Sequence, residues 1–103
     1  MKTYNKLVRD KIPEIIQKAG KECNIRVLED NEYIYYLNKK LEEEFEEYLE
    51  SQEIMELADV VEVIYAILDA RGVGIEEFEK IRKTKRDSRG GFNERLFLID
   101  VSE

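Results

Sequence analysis

The chain has no histidine and a single cysteine, Cys23, in 103 residues. Without histidine there is no Ser-His-Asp triad, no Cys-His dyad and no zinc site built on imidazole. One cysteine cannot form an internal disulfide. Proline occurs once, at Pro13, and there is no repeat, low-complexity tract or linker. No apolar run reaches membrane-spanning length, and the opening MKTYNKLVRD lacks a signal peptide's apolar segment, so a cytoplasmic protein with no membrane partner is expected. Positive charge is also scarce: 17 Lys and Arg face 24 Asp and Glu, a net charge of −7. A binder of nucleic-acid backbones needs a positive surface field, which argues against that class. A local basic patch can still hold one small phosphorylated ligand.

What is present is charge and apolar residues in near balance, 40% and 43%. That suits a soluble helical protein and not a disordered one. The length fits one small domain, residues 1–103, with a modest core. Asp10 is placed to N-cap a first helix with Pro13 in its opening turn. Ile12, Ile15, Ile16 and Ala19 share one face of it, and Gly20 ends it. Ile25 and Val27 alternate with polar neighbours and suggest a short extended piece. Asp30 caps a second helix to about Glu50, with the stripe Ile34, Leu37, Leu41, Phe45 and Tyr48. Ser51 is placed to cap a third, which carries Leu57, Val60, Val61, Ile64 and Leu68 and stops near Gly72. A fourth, IEEFEKIRKTKRD, follows Gly74 with acids first and bases last, as the helix dipole favours. The tail SRGGFNERLFLIDVSE opens on a glycine pair and is expected to be extended and packed onto the helices. The fold expected is all-α: an antiparallel bundle of about four helices with a short extended C-terminal tail. Tyr33, Tyr35 and Tyr36 fall beyond the second stripe. Such surplus apolar surface suggests completion by oligomerisation, as a homodimer or homotetramer.

Between Lys40 and Asp59 nine of twenty residues are acidic. Like charges three or four apart on a helix repel, so these residues form either a solvated polar face or a seat for a cation. At about 100° per residue, Glu44 lies roughly 80° and Glu47 roughly 140° from the middle of the second stripe. Glu56 and Asp59 lie at nearly the same displacements, with the same sign, on the third helix. Glu43 points almost opposite its stripe. In an antiparallel hairpin, equal-sign displacements fall on the same side of the pair. Glu44 is then level with Asp59, and Glu47 with Glu56. Such a quartet is relieved by protonation or by a bound cation. Oxygen-only donors select hard ions such as Mg²⁺, with Mn²⁺ able to substitute. A positive counterpart is available in Lys83, Lys85, Arg86 and Arg89, followed by Gly90 and Gly91, which let backbone approach a phosphate. The competing view of that cluster is simple balance for the acidic helices.

EEFEE followed by ELAD resembles the EExxE…ExxD signature of the MazG-like, all-α nucleoside triphosphate pyrophosphohydrolases. The matching residues are Glu43, Glu44 and Glu47, then Glu56 and Asp59. YNKLVRDKIPEII and RGGF also look like the small MazG-like subgroup, in a superfamily that includes phosphoribosyl-ATP pyrophosphohydrolases. Only eight residues separate Glu47 from Glu56, fewer than in many relatives. The resemblance implies cleavage between the α- and β-phosphates of a nucleotide, giving a monophosphate and pyrophosphate. It implies Mg²⁺ on Glu44, Glu47, Glu56 and Asp59, with Glu43 and Glu44 catalytic and Glu43 positioning or deprotonating water. It also brings Asn5, Lys6, Arg9 and Asp10 toward the nucleotide, where helix capping and surface charge are the plainer explanation. The role expected is removal of surplus or non-canonical nucleotides. Phosphoribosyl-ATP hydrolysis in histidine synthesis and a non-catalytic acidic interaction module remain alternatives.

Overall fold

The computed structural model describes residues 2–102. The fold is all-α with four helices: α1 (Ile12–Lys18), α2 (Asp30–Ser51), α3 (Ile54–Ala70) and α4 (Ile75–Arg89). No strand forms among the described residues, and no helix is long and apolar enough to cross a membrane. The chain divides into two compact units, the first reaching to Gly72 and the second beginning at Val73.

Within the first unit, α1 is short and begins at Ile12, with Lys11 and not Asp10 at its cap position and no side-chain cap. The Arg9 carbonyl accepts the Ile12 N–H at 3.0 Å, so a backbone turn takes the place of the expected Asp10 cap. Gly20 ends the helix as expected. Its φ of 81° lets its N–H reach the Gln17 carbonyl while the Lys21 N–H reaches that of Ile16, the paired bonds of a Schellman stop. Ile25 and Val27 lie in irregular, exposed chain, not in a strand. A single extended segment in an all-α chain has no strand to pair with.

Helix α2 starts where Asp30 was expected to cap it, although the cap position belongs to Glu29, and no side chain bonds there. Ser51 is the last residue of α2 instead of the cap of α3. Its Oγ accepts the Glu53 N–H at 3.2 Å across a two-residue turn. Gln52 makes that turn in the left-handed region, at φ 61°. So tight a turn folds α3 back against α2, and this hairpin is the helix packing of the first unit.

The faces that meet are not the middles of the apolar stripes. Leu37, Val63 and Glu44 are the buried side chains among the described residues. Around them Tyr33, Lys40, Leu41 and Tyr48 of α2 and Glu56, Asp59, Val60 and Ile67 of α3 are half-buried. Phe45, Leu57 and Val61, assigned to the stripes, are exposed, Phe45 by 53%. Each helix is thus rotated toward its acidic flank, while Ile34, Ile64 and Leu68 of the stripes stay half-buried. Apolar periodicity does not encode that rotation. It is tolerable because Lys40, half-buried on the same helix, supplies a counter-charge to Glu44. Full burial of Leu37 and Val63 contributes roughly 1.5–3 kcal/mol apiece, a small core for a hairpin of this length.

In the second unit, α4 runs two residues beyond the expected stretch and stops at Gly90, whose φ is 85° and whose N–H bonds the Arg86 carbonyl at 2.7 Å. The tail that follows forms no regular element. Phe92, Leu96, Phe97, Leu98 and Ile99 are exposed where packing was expected, Phe92 by 97%.

Candidate metal centre

Glu43, Glu44 and Glu47 occupy consecutive turns of α2, and each offers a carboxylate oxygen within 4.8 Å of the other two. Glu44 makes a second such triad with Glu56 and Asp59, from the first two turns of α3. The expected quartet is therefore two triads that share Glu44. Glu43, placed by ideal helix geometry away from the others, belongs to one of them. The rotation of α2 toward its acidic flank brings Glu43 nearer the interface, and its long side chain covers the rest.

The counter-charges are unevenly distributed. Lys40, at i−3 and i−4, reaches Glu43 Oε2 at 3.4 Å and Glu44 Oε1 at 3.2 Å, with only 15% of its side chain exposed. Lys6, preceding α1, donates to Glu43 Oε1 at 3.1 Å. Arg9 Nη2 donates to Asp59 Oδ1 at 2.6 Å. The segment before α1 thus contacts both helices of the hairpin. Glu47 and Glu56 form no ion pair among the described residues. Glu44 is 7% exposed, yet its Oε2 has no hydrogen-bond partner among the described residues. An unmatched oxygen on a buried carboxylate is costly, and few exist in folded proteins without a bound partner to explain them.

The acidities follow the counter-charges. Glu47 is pushed up first by Glu44, to which only a protonated Glu47 could donate, then by desolvation and the charges of Glu44, Glu43 and Glu56. Glu56 is pushed up by desolvation, then by Asp59, Glu44 and Glu53. Glu43 goes the other way. Burial raises it, but the Lys6 hydrogen bond and the charges of Lys40 and Lys6 together outweigh burial and hold it below the usual carboxylate range. The centre thus contains carboxylates that favour a proton beside one that favours ionisation. All donors are oxygen, which suits a hard divalent cation more than a soft one.

Of the basic residues expected at the site, Lys6 and Arg9 are in it. Asn5, at φ 46°, lines an adjoining open cleft of about 270 Å³ with Lys6, Tyr35, Tyr36, Lys39 and Lys40. Lys83, Lys85, Arg86 and Arg89 are exposed on α4 in the second unit, followed by Gly90 and Gly91. There, Arg86 Nε lies 3.7 Å from the point a Cβ on Gly91 would occupy. Lys40 was missed from the sequence. Its spacing to Glu43 and Glu44 is the available signal, since residues three and four apart meet on a helix.

No family model matches the chain, and no solved structure matches it. A protein of Mycolicibacterium smegmatis (strain ATCC 700084 / mc(2)155), described only as an uncharacterized protein, is 51% identical over 41 residues. The match spans 40% of this chain and 42% of that relative.

Proposed function

We propose that the chain is a Mg²⁺-dependent nucleotide pyrophosphohydrolase of the MazG-like type, cleaving between the α- and β-phosphates to release a monophosphate and pyrophosphate. The observation that carries it is the buried Glu44, shared by two carboxylate triads and left with an unmatched oxygen. Burying a carboxylate costs several kcal/mol unless it is fully partnered, and Lys40 partners only one of the two oxygens. Glu44, Glu56 and Asp59, with Glu47 nearby, would hold a divalent cation that completes that partnership. Once bound, Mg²⁺, or Mn²⁺ in its place, supplies neutralisation of phosphate charge and a lowered pKa for a water molecule.

The protein's own groups have distinct tasks in this scheme. Glu43, kept ionised by Lys6 and Lys40, is the carboxylate suited to orient water and accept its proton. Arg9 presents a guanidinium fork at the edge of the α3 carboxylates, the geometry that recognises phosphate oxygens in pairs. Lys6 extends that positive edge, and Asn5 beside it offers a neutral amide donor. Lys83, Lys85, Arg86 and Arg89, with Gly90 and Gly91, are a second set of phosphate-binding candidates. Phosphoryl transfer depends chiefly on positioning and charge stabilisation, so a chain without histidine is not at a disadvantage. Exposed Phe45, Leu49, Ile54 and Met55 near the hairpin turn support a homo-oligomer, dimer or tetramer, as the working state.

The test is pyrophosphate release from a panel of nucleoside triphosphates and from phosphoribosyl-ATP, with Mg²⁺ and with chelator, beside thermal unfolding under the same conditions. Mg²⁺-dependent release from one or more triphosphates, with a raised unfolding temperature, is expected. Release confined to phosphoribosyl-ATP moves the enzyme to biosynthesis. No release and no thermal shift at millimolar Mg²⁺ would leave an acidic interaction module.

A further inference from the structure

We propose that the cleft between the segment before α1 and the N-terminal half of α2 is where a nucleotide docks, its phosphates on Lys6, Lys39 and Lys40 and its base against Tyr35 and Tyr36. This rests on taking the adjoining acids as a nucleotide-cleaving centre, and it specifies which surface selects the substrate.

Charge comes first. In a chain of net charge −7, the cleft sets three lysines against one carboxylate, Glu43. Glu43 is already engaged by Lys6 and Lys40, and among the described residues Lys39 makes no ion pair. The Lys39 ammonium instead sits 5.7 Å from the centroid of the Tyr35 ring. The cleft is therefore a positive pocket on an acidic protein, and an anion entering it meets an ammonium without first breaking a salt bridge.

Its wall is aromatic. Tyr35 and Tyr36 stand edge to face, 85° apart with centroids at 5.1 Å, and so form a corner. Tyr35 is 55% exposed. An aromatic ring held in a cleft with part of its surface open offers a face on which a base can stack. Tyr36 precedes Glu44 by eight residues, about 12 Å along the helix. A planar group on the tyrosines and anionic groups nearer Lys6 and Lys40 thus run toward the carboxylates, the order in which base and phosphates follow one another in a nucleotide. At about 270 Å³ the cleft is smaller than the roughly 300–1,000 Å³ of sites that enclose a whole ligand, so part of the nucleotide lies outside it, over the acids.

The experiment is calorimetric binding of the α,β-methylene analogues of ATP, GTP, CTP and UTP, and separately of inorganic tripolyphosphate, to the full chain in Mg²⁺. The proteins compared are wild type, Tyr35→Ala, Tyr35→Phe and Lys39→Gln. Both positions are exposed, and circular dichroism checks that the helices persist. Tyr35→Ala is expected to weaken the tightest analogue about tenfold, with tripolyphosphate unchanged and Tyr35→Phe close to wild type. Lys39→Gln is expected to weaken analogue and tripolyphosphate alike by several-fold. If the analogues bind and neither Tyr35→Ala nor Lys39→Gln changes their affinity, the cleft is not the docking site, while Mg²⁺-dependent pyrophosphate release still stands or falls separately. If the variants behave as expected but wild type releases no pyrophosphate from any nucleotide, the docking site stands and the hydrolytic function does not.

Discussion

The two triads that meet at Glu44 are made differently. Glu43, Glu44 and Glu47 come from one helix, at spacings that bring them together whenever α2 is helical. Glu44, Glu56 and Asp59 are neighbours only after the turn at Gln52 has folded α3 onto α2. The first has two lysines, the second the shared Lys40 and the Arg9 guanidinium. A local cluster of acids follows from composition, whereas the cross-helix cluster depends on tertiary structure. Repulsion within it opposes the packing of Leu37 and Val63. A fold that retains such an opposition, with so small a core, is one that a cation held there would stabilise.

The largest effect is expected where the triads join. Glu44→Gln leaves neither triad intact. It should remove the rise in unfolding temperature produced by Mg²⁺ or Mn²⁺, and lower pyrophosphate release by about a hundredfold or more, the scale of losing one preorganised electrostatic group. Glu47→Gln spares the cross-helix triad and should keep a reduced but measurable thermal response to Mn²⁺. Equal responses from the two variants would mean that the triads are not distinct in function.

A smaller effect separates the groups by their acidity without any metal. Glu47 and Glu56 are held above the ordinary glutamate range, so each favours folding below its unfolded pKa of about 4.3, and that contribution is lost as pH rises through the folded value. In chelator at neutral pH, Glu47→Gln and Glu56→Gln should each unfold a few degrees above wild type. The advantage should fade as pH falls below the unfolded value, where the wild-type carboxyls are protonated in both states. Thermal scans across that range test it. A constant offset at every pH would assign the gain to packing and not to relieved charge.

Much of the hairpin was legible in the sequence because it is written in short-range terms. Gly20 and Gly72 mark the ends of helices by local backbone chemistry, although Asp30 is the first residue of α2 and not its cap, and the interval between Glu47 and Glu56 leaves room for only a tight turn. The pairing of Glu44 with Asp59 followed from that turn. What could not be read was rotation about each helix axis. Phe45 and Leu57 look like core by periodicity but are exposed, and Glu44 looks like surface but is buried. The difference lies in Lys40, whose ammonium makes an acid tolerable at the interface and which no apolar pattern reveals. Asp10 and Ser51 were misplaced as caps for a related reason. Both stand at real turns, but backbone bonds from Ile12 to Arg9, and a left-handed Gln52, set where the next helix begins.

The smallest effect concerns Glu43, where the same comparison changes sign inside one triad. Desolvation raises its pKa, but Lys6 and Lys40 more than compensate and leave it below the ordinary value. A carboxylate of this kind supports folding above its unfolded pKa and loses that support as pH falls through the folded value, opposite to Glu47 one helical turn away. Lys6→Gln removes one of the two cations. Since Lys6 is partly exposed, solvent and salt screen its interaction, and only a shift of a degree or so in unfolding temperature is expected at neutral pH. The shift should shrink as acid protonates Glu43, and as salt is added. Lys40→Gln should do more, because its side chain lies deeper and also meets Glu44. An NMR titration of Glu43 in both variants gives the more direct reading: its pKa should move upward in each, and further in Lys6→Gln, because the Lys6 hydrogen bond is the largest downward pull on it. If it moves in neither, the ionised state of Glu43 is not set by these lysines, and its assignment as the base loses its physical ground.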